Sequence, residues 1–116
     1  MRLFIISCLL MSDLVFAVCS EPLPPIDSAS KYEGESKEAY KTAKENENLL
    51  AHLNCHCGCM KSEDHKSLHT CFETKHGDHC KMCRAIVFRG VELKKEGKPV
   101  DDISKIIDEE FKRQKH

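Results

Sequence analysis

The sequence predicts a small all-α domain of about three helices, with a helical hairpin, stapled by disulfides or by a metal ion. Apolar residues recur at helical spacing in three segments, near 37–53, 80–96 and 99–111. The connection between the second and third segments is short, which favours a hairpin. The chain has 116 residues, no Trp and 6% aromatic residues, so its core is modest and a staple is expected.

Residues 1–17 are typical of an export signal peptide. Arg2 supplies a positive charge, Leu3 to Met11 is largely apolar, and Val15-Phe16-Ala17 has the small-residue pattern of a cleavage site. The apolar run is too short to span a bilayer. We therefore expect an exported, extracytoplasmic protein (periplasmic, cell-surface or secreted), in a compartment where disulfides persist. A buried N-terminal helix is the alternative.

Cys19 offers a second route of processing. Phe16-Ala17-Val18-Cys19 resembles a bacterial lipobox, in which Cys19 is the residue that becomes acylated. An acyl chain would tether the domain to a membrane, with about 0.8 kcal/mol of affinity for each buried methylene. Phe and Val stand where Leu and a small residue are more usual, so plain secretion is weighted above lipidation.

Residues 18–36 are predicted to be a flexible linker, because Pro, Ser, Gly and charged residues dominate them. Ser36 can cap a first helix from about Lys37 to Leu53. Its apolar stripe is interrupted around Asn46. The Cys/His-rich helical domain is accordingly expected to cover 37–116.

The second helix is expected to begin near His79 or Cys80 and to end at Glu96. Gly90 lies in its interior, where Gly costs about 1 kcal/mol relative to Ala. The third helix opens at Pro99 and has the clearest amphipathic pattern in the chain. Its apolar positions are Val100, Ile103, Ile106, Ile107 and Phe111.

The stretch from the end of the first helix into the first turn of the second is dense in Cys and His. It runs from Cys55 to Cys83 and holds six of the eight cysteines of the chain. Thiolates and imidazoles bind soft and borderline metals or exchange disulfides. The site of any chemistry is therefore expected here.

Several short elements occur in order along this half of the chain. They are Cys55-His56-Cys57-Gly58-Cys59, His65-Lys66-Ser67-Leu68, Cys71-Phe72, Cys80-Lys81-Met82-Cys83, and Glu96-Gly97-Lys98 followed by Asp101-Asp102-Ile103. Together they resemble the bacterial family of small exported proteins and lipoproteins named for a Pro-Cys-Tyr-Cys-Gly-Cys motif, with Asn54 and His56 in place of the Pro and Tyr. The resemblance implies an exported Cys-rich domain, often membrane-tethered, without an assigned activity. Cys80 and Cys83 are more distantly similar to the thiol-reductase subunits of cytochrome c maturation.

The spacing of the thiols predicts a metal site made of two halves. In extended backbone Cys55, Cys57 and Cys59 point the same way, while Cys80 and Cys83 share one face at the start of a helix. Together the halves can give tetrahedral coordination of Zn²⁺, or fewer ligands for Cu(I). The hypothesis places one ion on Cys57, Cys59, Cys80 and Cys83. Further candidate ligands are Cys55, Cys71, His56 and His65.

Two other uses of these cysteines remain open. Structural disulfides are weighted equally with metal binding, and would pair Cys55, Cys57 and Cys59 with Cys71, Cys80 and Cys83 in one of six arrangements. The weaker alternative is thiol-disulfide exchange, in which Cys80 attacks and Cys83 resolves the mixed disulfide. At a helix start beside Lys81, Cys80 is predicted to be the most acidic thiol of the chain.

Several classes of function are not indicated. Cys83 is followed by Arg84 where haem attachment requires His, so no haem is expected. The 18 basic and 19 acidic residues are mixed along the chain, which gives no footprint for nucleic acid. Hydrolytic and nucleotide-using motifs are not found, and we expect a binding protein more than an enzyme, with a metal ion as partner and no protein partner identified. His52, His76 and His116 are expected to be solvated.

Overall fold

The computed structural model describes residues 22–57 and 65–112, and within these ranges the chain forms helices and no strand. The helices are α1 (Gly34–Glu45), α2 (Glu47–Ala51), α3 (Leu68–Cys71), α4 (His76–His79), α5 (Lys81–Lys95) and α6 (Val100–Lys112), preceded by a 3₁₀ turn at Ala29–Lys31. The predicted all-α class is confirmed. In the described ranges, no helix is both long enough and apolar enough to cross a membrane.

The first predicted helix is divided into α1 and α2. The helical backbone breaks at Asn46, whose φ of -135° and ψ of 37° lie outside the helical region. The side-chain amide of Asn46 donates to the carbonyl of Thr42 over 2.9 Å. Helix α1 begins at Gly34 instead of Lys37, and Ser36, predicted as the cap, is buried in its first turn.

The segment before α1 packs on the core, which differs from the flexible linker that its composition predicted. Ile26 and Tyr32 are buried there, and the ring of Tyr32 stacks on that of Tyr40 with centroids 4.0 Å apart. The backbone N–H of Asp27 donates to the carbonyl of Phe72 over 2.9 Å. Two apolar side chains and one backbone hydrogen bond therefore attach the described part of this segment, residues 22–33, to the helical domain.

Helices α5 and α6 form the predicted hairpin, and α1 packs against α5. Ile103 and Ile107 of α6 are fully buried, whereas Ile106 is only partly buried. The structure explains why position 90 of α5 is a glycine, because a Cβ there would lie 3.0 Å from Cδ1 of Leu53. The glycine lets α5 approach the residues after α2 closely, and this packing offsets the cost of a glycine inside a helix.

The described part of the Cys/His-rich stretch, residues 55–57 and 65–83, packs against the start of the hairpin. It contains the two short helices α3 and α4, which the sequence did not predict. Helix α3 contacts α2 and α5, and α4 contacts α5 and α1. The buried side chains of Leu68 and Phe72 anchor the α3 segment in the core. These contacts bring the loop after α2, the α3–α4 segment and the start of α5 together.

Candidate metal centre

Two separate segments supply four thiols to one site. Cys55 and Cys57 lie in the loop after α2, while Cys80 precedes the first residue of α5 and Cys83 lies in its first turn. The loop is held at its base by a hydrogen bond of 2.8 Å from the N–H of Leu68 to the carbonyl of Leu53. The sulfur atoms of the four cysteines converge because α5 and this loop pack against the same core.

The four sulfur atoms of Cys55, Cys57, Cys80 and Cys83 all lie within 4.8 Å of one another, so the group can hold a metal ion. The Sγ–Sγ distance is 3.7 Å for Cys57 and Cys83, and 3.2 Å for Cys55 and Cys57. Tetrahedral Zn²⁺ with Zn–S bonds of about 2.3 Å separates its sulfur ligands by about 3.8 Å. The separations between the four sulfur atoms therefore differ from this spacing by about 1 Å at most.

The surroundings of the thiols favour an ion held largely away from water. Cys55 is 3% exposed and Cys83 is 0% exposed, while Cys57 and Cys80 are partly buried. The backbone N–H of Cys83 donates to the Sγ of Cys80 over 3.4 Å. A hydrogen bond donated to sulfur stabilises its thiolate form, which is the form that binds metal.

Without a metal ion, the pKa values of two of these thiols are raised. Burial is the largest cause of the raised pKa of Cys80. The pKa of Cys83 is raised mainly by its side-chain contacts with Cys55 and then Cys71. Cys80 is therefore not the acidic thiol that its position at a helix start predicted, because desolvation outweighs the helix dipole and the hydrogen bond.

A second group of donors lies beside the first. His65 precedes α3, Cys71 ends it and His76 begins α4, and the donor atoms of these three residues also lie within 4.8 Å of one another. Nδ1 of His65 is 3.3 Å from the Sγ of Cys71. The two imidazole rings meet edge to face with centroids 4.9 Å apart. This group also has the donor types of a metal site.

The two groups touch each other through sulfur. The Sγ of Cys57, in the first group, lies 3.5 Å from Nε2 of His76, in the second. A side-chain contact also joins Cys71 of the second group to Cys83 of the first. The donors thus form one continuous cluster, with Cys57 and Cys83 on the shared border.

His69 is not part of this cluster, but it positions part of it. Its ring is 1% exposed, with Nδ1 lying 2.7 Å from a carboxylate oxygen of Glu73 and Nε2 lying 3.1 Å from one of Glu47. Glu47 belongs to α2 and His69 to α3. The His69 side chain therefore fixes α3 against α2, which sets the place of Cys71 at the end of α3.

Six of the predicted ligands lie in the two donor groups. Cys55, Cys57, Cys80 and Cys83 come together in the first group, and Cys71 and His65 in the second. His56 lies in neither group, and its Nε2 is 2.8 Å from the carboxylate of Asp108. Cys59 and Cys19 lie outside the described residues. Among the described cysteines none forms a disulfide.

His76 is the donor that sequence reasoning missed, since it was expected to be solvated. It reaches the cluster because α4 packs against α5 and α1, which places His76 at the start of α4 beside Cys57 and His65. The sequence signal that could have identified His76 as a ligand is its spacing of five residues from Cys71. That spacing indicates a shared site only when α3 and α4 are known to be helical.

Comparison with known proteins identifies one family. A family model described as "Protein of unknown function with PCYCGC motif" matches residues 19–115. No curated protein and no solved structure gives a significant match.

Proposed function

Because the chain belongs to the PCYCGC-motif family, a family of unknown function, we propose from its own sequence and geometry that it is an exported protein which binds a thiophilic metal ion. The proposed ligands are Cys55, Cys57, Cys80 and Cys83. One observation carries the metal-binding half of this proposal, namely the convergence of four thiols from two segments within 4.8 Å. Four thiolates at near-tetrahedral spacing suit Zn²⁺, and Cu(I) is the alternative ion because it also prefers thiolates.

The same geometry gives less support to thiol-disulfide exchange. An attacking thiol must be substantially ionised near ambient pH. Burial raises the pKa of Cys80, which reduces the thiolate fraction of the residue that exchange would use as attacker. A metal ion, in contrast, displaces the thiol protons on binding and uses all four sulfurs at once.

Native mass spectrometry of the reduced protein tests the proposal. Offered Zn²⁺ or Cu(I), the chain is expected to retain metal, and Cys80→Ser is expected to lose metal from the four-sulfur group. Met82→Leu is the matched control, because Met82 lies between Cys80 and Cys83 and its thioether is not among the proposed ligands. A reduced chain that retains neither ion would overturn the proposal and leave disulfide stapling or exchange.

Export is the other half of the proposal, and it rests on the sequence of residues 1–17. The intact mass of the protein recovered from expressing bacteria tests it. Cleavage after Ala17 would leave Val18 as the first residue, whereas processing as a lipoprotein would leave an acylated Cys19. An uncleaved chain found only in the cytoplasm would contradict the export proposal.

A further inference from the structure

The second donor group contains two imidazole nitrogens that face sulfur atoms. Nδ1 of His65 lies 3.3 Å from the Sγ of Cys71, and Nε2 of His76 lies 3.5 Å from the Sγ of Cys57. Thiols are weak hydrogen-bond partners, so these contacts contribute little by themselves. Their geometry is more readily explained by an ion that nitrogen and sulfur bind together. His69 offers the contrast, because both of its nitrogens face carboxylates.

Counted over the residues that the structure describes, the second group is one donor short of a tetrahedral site. It supplies two imidazoles and one thiol, and a tetrahedral ion needs four donors. Cys57 of the first group has its Sγ 3.5 Å from Nε2 of His76. It also lies 3.7 Å from the Sγ of Cys83, within the first group. A sulfur in that position can complete the second site while it serves the first.

We propose that the chain holds two ions in a thiolate-bridged centre, with a second Zn²⁺ bound by His65, Cys71, His76 and the bridging sulfur of Cys57. This inference rests on the proposed function, since the first ion occupies the site of four thiols. Two sulfurs and two imidazoles form the Cys₂His₂ donor set that suits tetrahedral Zn²⁺. His65 and His76 are partly buried and Cys71 is fully buried, so the second ion also lies mostly inside the protein.

The number of bound ions separates the two proposals. Native mass spectrometry of the reduced chain with excess Zn²⁺ is expected to show two ions, and the double variant His65→Asn with His76→Gln is expected to show one. His79→Gln is the matched control, because His79 is exposed on the same short helix as His76. One ion in both wild type and double variant would overturn the second site and leave the proposed function standing. No ion in either would overturn both.

Two ions retained by the double variant would also overturn the inference, since the histidines would then not be ligands. Circular dichroism of each variant verifies its helical content. If the double variant does not fold, the wild-type protein still decides the question through the bridge itself.

Loading the wild-type chain with NMR-active cadmium, which substitutes for zinc, tests that bridge. Two cadmium resonances are expected, one typical of four sulfur ligands and one of mixed sulfur and nitrogen ligands. Each should be split by coupling through the shared sulfur of Cys57. Two unsplit resonances, or a single resonance, would contradict the bridged centre.

Discussion

The Sγ atoms of Cys57 and Cys83 lie 3.7 Å apart, although 26 residues separate them in the sequence. Cys57 belongs to the loop after α2 and Cys83 to the first turn of α5. An ion bound to both therefore connects two segments that are otherwise joined by packing around α3 and α4. Because such a site does not exist in the unfolded chain, its binding free energy contributes directly to folding.

We first predict that zinc stabilises the reduced protein. A ligand that binds only the native state at a free concentration 100 times its Kd adds about 2.7 kcal/mol to the free energy of unfolding. Thermal unfolding followed by circular dichroism should show a rise in Tm with Zn²⁺ and its reversal by a chelator. Cys80→Ser should respond less than Met82→Leu. An unchanged Tm at saturating zinc would argue against a site formed by these segments.

Gly77→Ala should destabilise the domain. A Cβ at Gly77 would lie 2.6 Å from Cε1 of Phe72, whose ring is fully buried against Tyr40. Overpacking of this kind typically costs about 1–3 kcal/mol. Urea unfolding of the reduced, metal-free protein measures the change, with His79→Ala as the control because His79 is exposed on the same helix α4. Equal stability of the two variants would show that the Phe72 ring can move aside.

Ile107→Asp and Ile106→Asp should differ sharply, although the two positions are adjacent. Ile107 is 0% exposed, whereas Ile106 is only partly buried. An unpaired carboxylate at position 107 should cost more than about 4 kcal/mol, which is a large part of the stability of a small domain. The carboxylate at position 106 can reach water and should cost less. Denaturant midpoints of the two variants would contradict this packing of α6 if they were the same.

Asp27→Asn should lower stability at neutral pH and have a smaller effect in acid. The hydrogen bonds from Lys31 and then Tyr32 hold the pKa of Asp27 below its ordinary value of 3.8. A lowered native-state pKa gives a stabilisation that is present above pH 3.8 and is lost as the pH falls through the lowered value. The difference between wild type and variant should therefore shrink below pH 3.8.

The stability of wild type and variant is best measured against pH on reduced, metal-free protein. Metal-linked protonation of the thiols then does not contribute to the pH dependence. Glu109→Gln, on the exposed side of α6, serves as the control. A difference that stayed constant down to strongly acidic pH would mean that Asp27 acts through its shape alone, and the hydrogen bonds from Lys31 and Tyr32 would then contribute nothing measurable.

The hairpin could be predicted because the patterns that specify its helices lie within short stretches of sequence. The stripe through Ile103, Ile107 and Phe111 repeats at helical spacing, and Pro99 marks where the third helix begins. The short helices α3 and α4 could not be predicted in this way. Four residues are too few to show a period, and such helices form only when tertiary packing supports them. His76 was missed for this reason.

The thiol site was predicted as two halves, but the choice of sulfurs within the first half was not determined. Cys55, Cys57 and Cys59 point the same way in extended backbone, so the pattern cannot tell which pair faces α5. The sequence hypothesis used Cys57 and Cys59. Of the three, the structure describes Cys55 and Cys57, and it brings both to Cys80 and Cys83, while Cys59 lies outside the described residues. The path of the loop after Leu53, where the N–H of Leu68 donates to the carbonyl of Leu53, places these two sulfurs beside α5.

The thiolate site itself is tested most directly by X-ray absorption at the zinc edge on the His65→Asn, His76→Gln variant loaded with one equivalent of Zn²⁺. We expect four sulfur atoms around the zinc at about 2.3 Å, supplied by Cys55, Cys57, Cys80 and Cys83. Replacing Cys55 with Ser should lower the number of sulfur neighbours. A shell of nitrogen and oxygen atoms at about 2.0–2.2 Å in the protein with all four thiols intact would show that these thiols do not bind the ion.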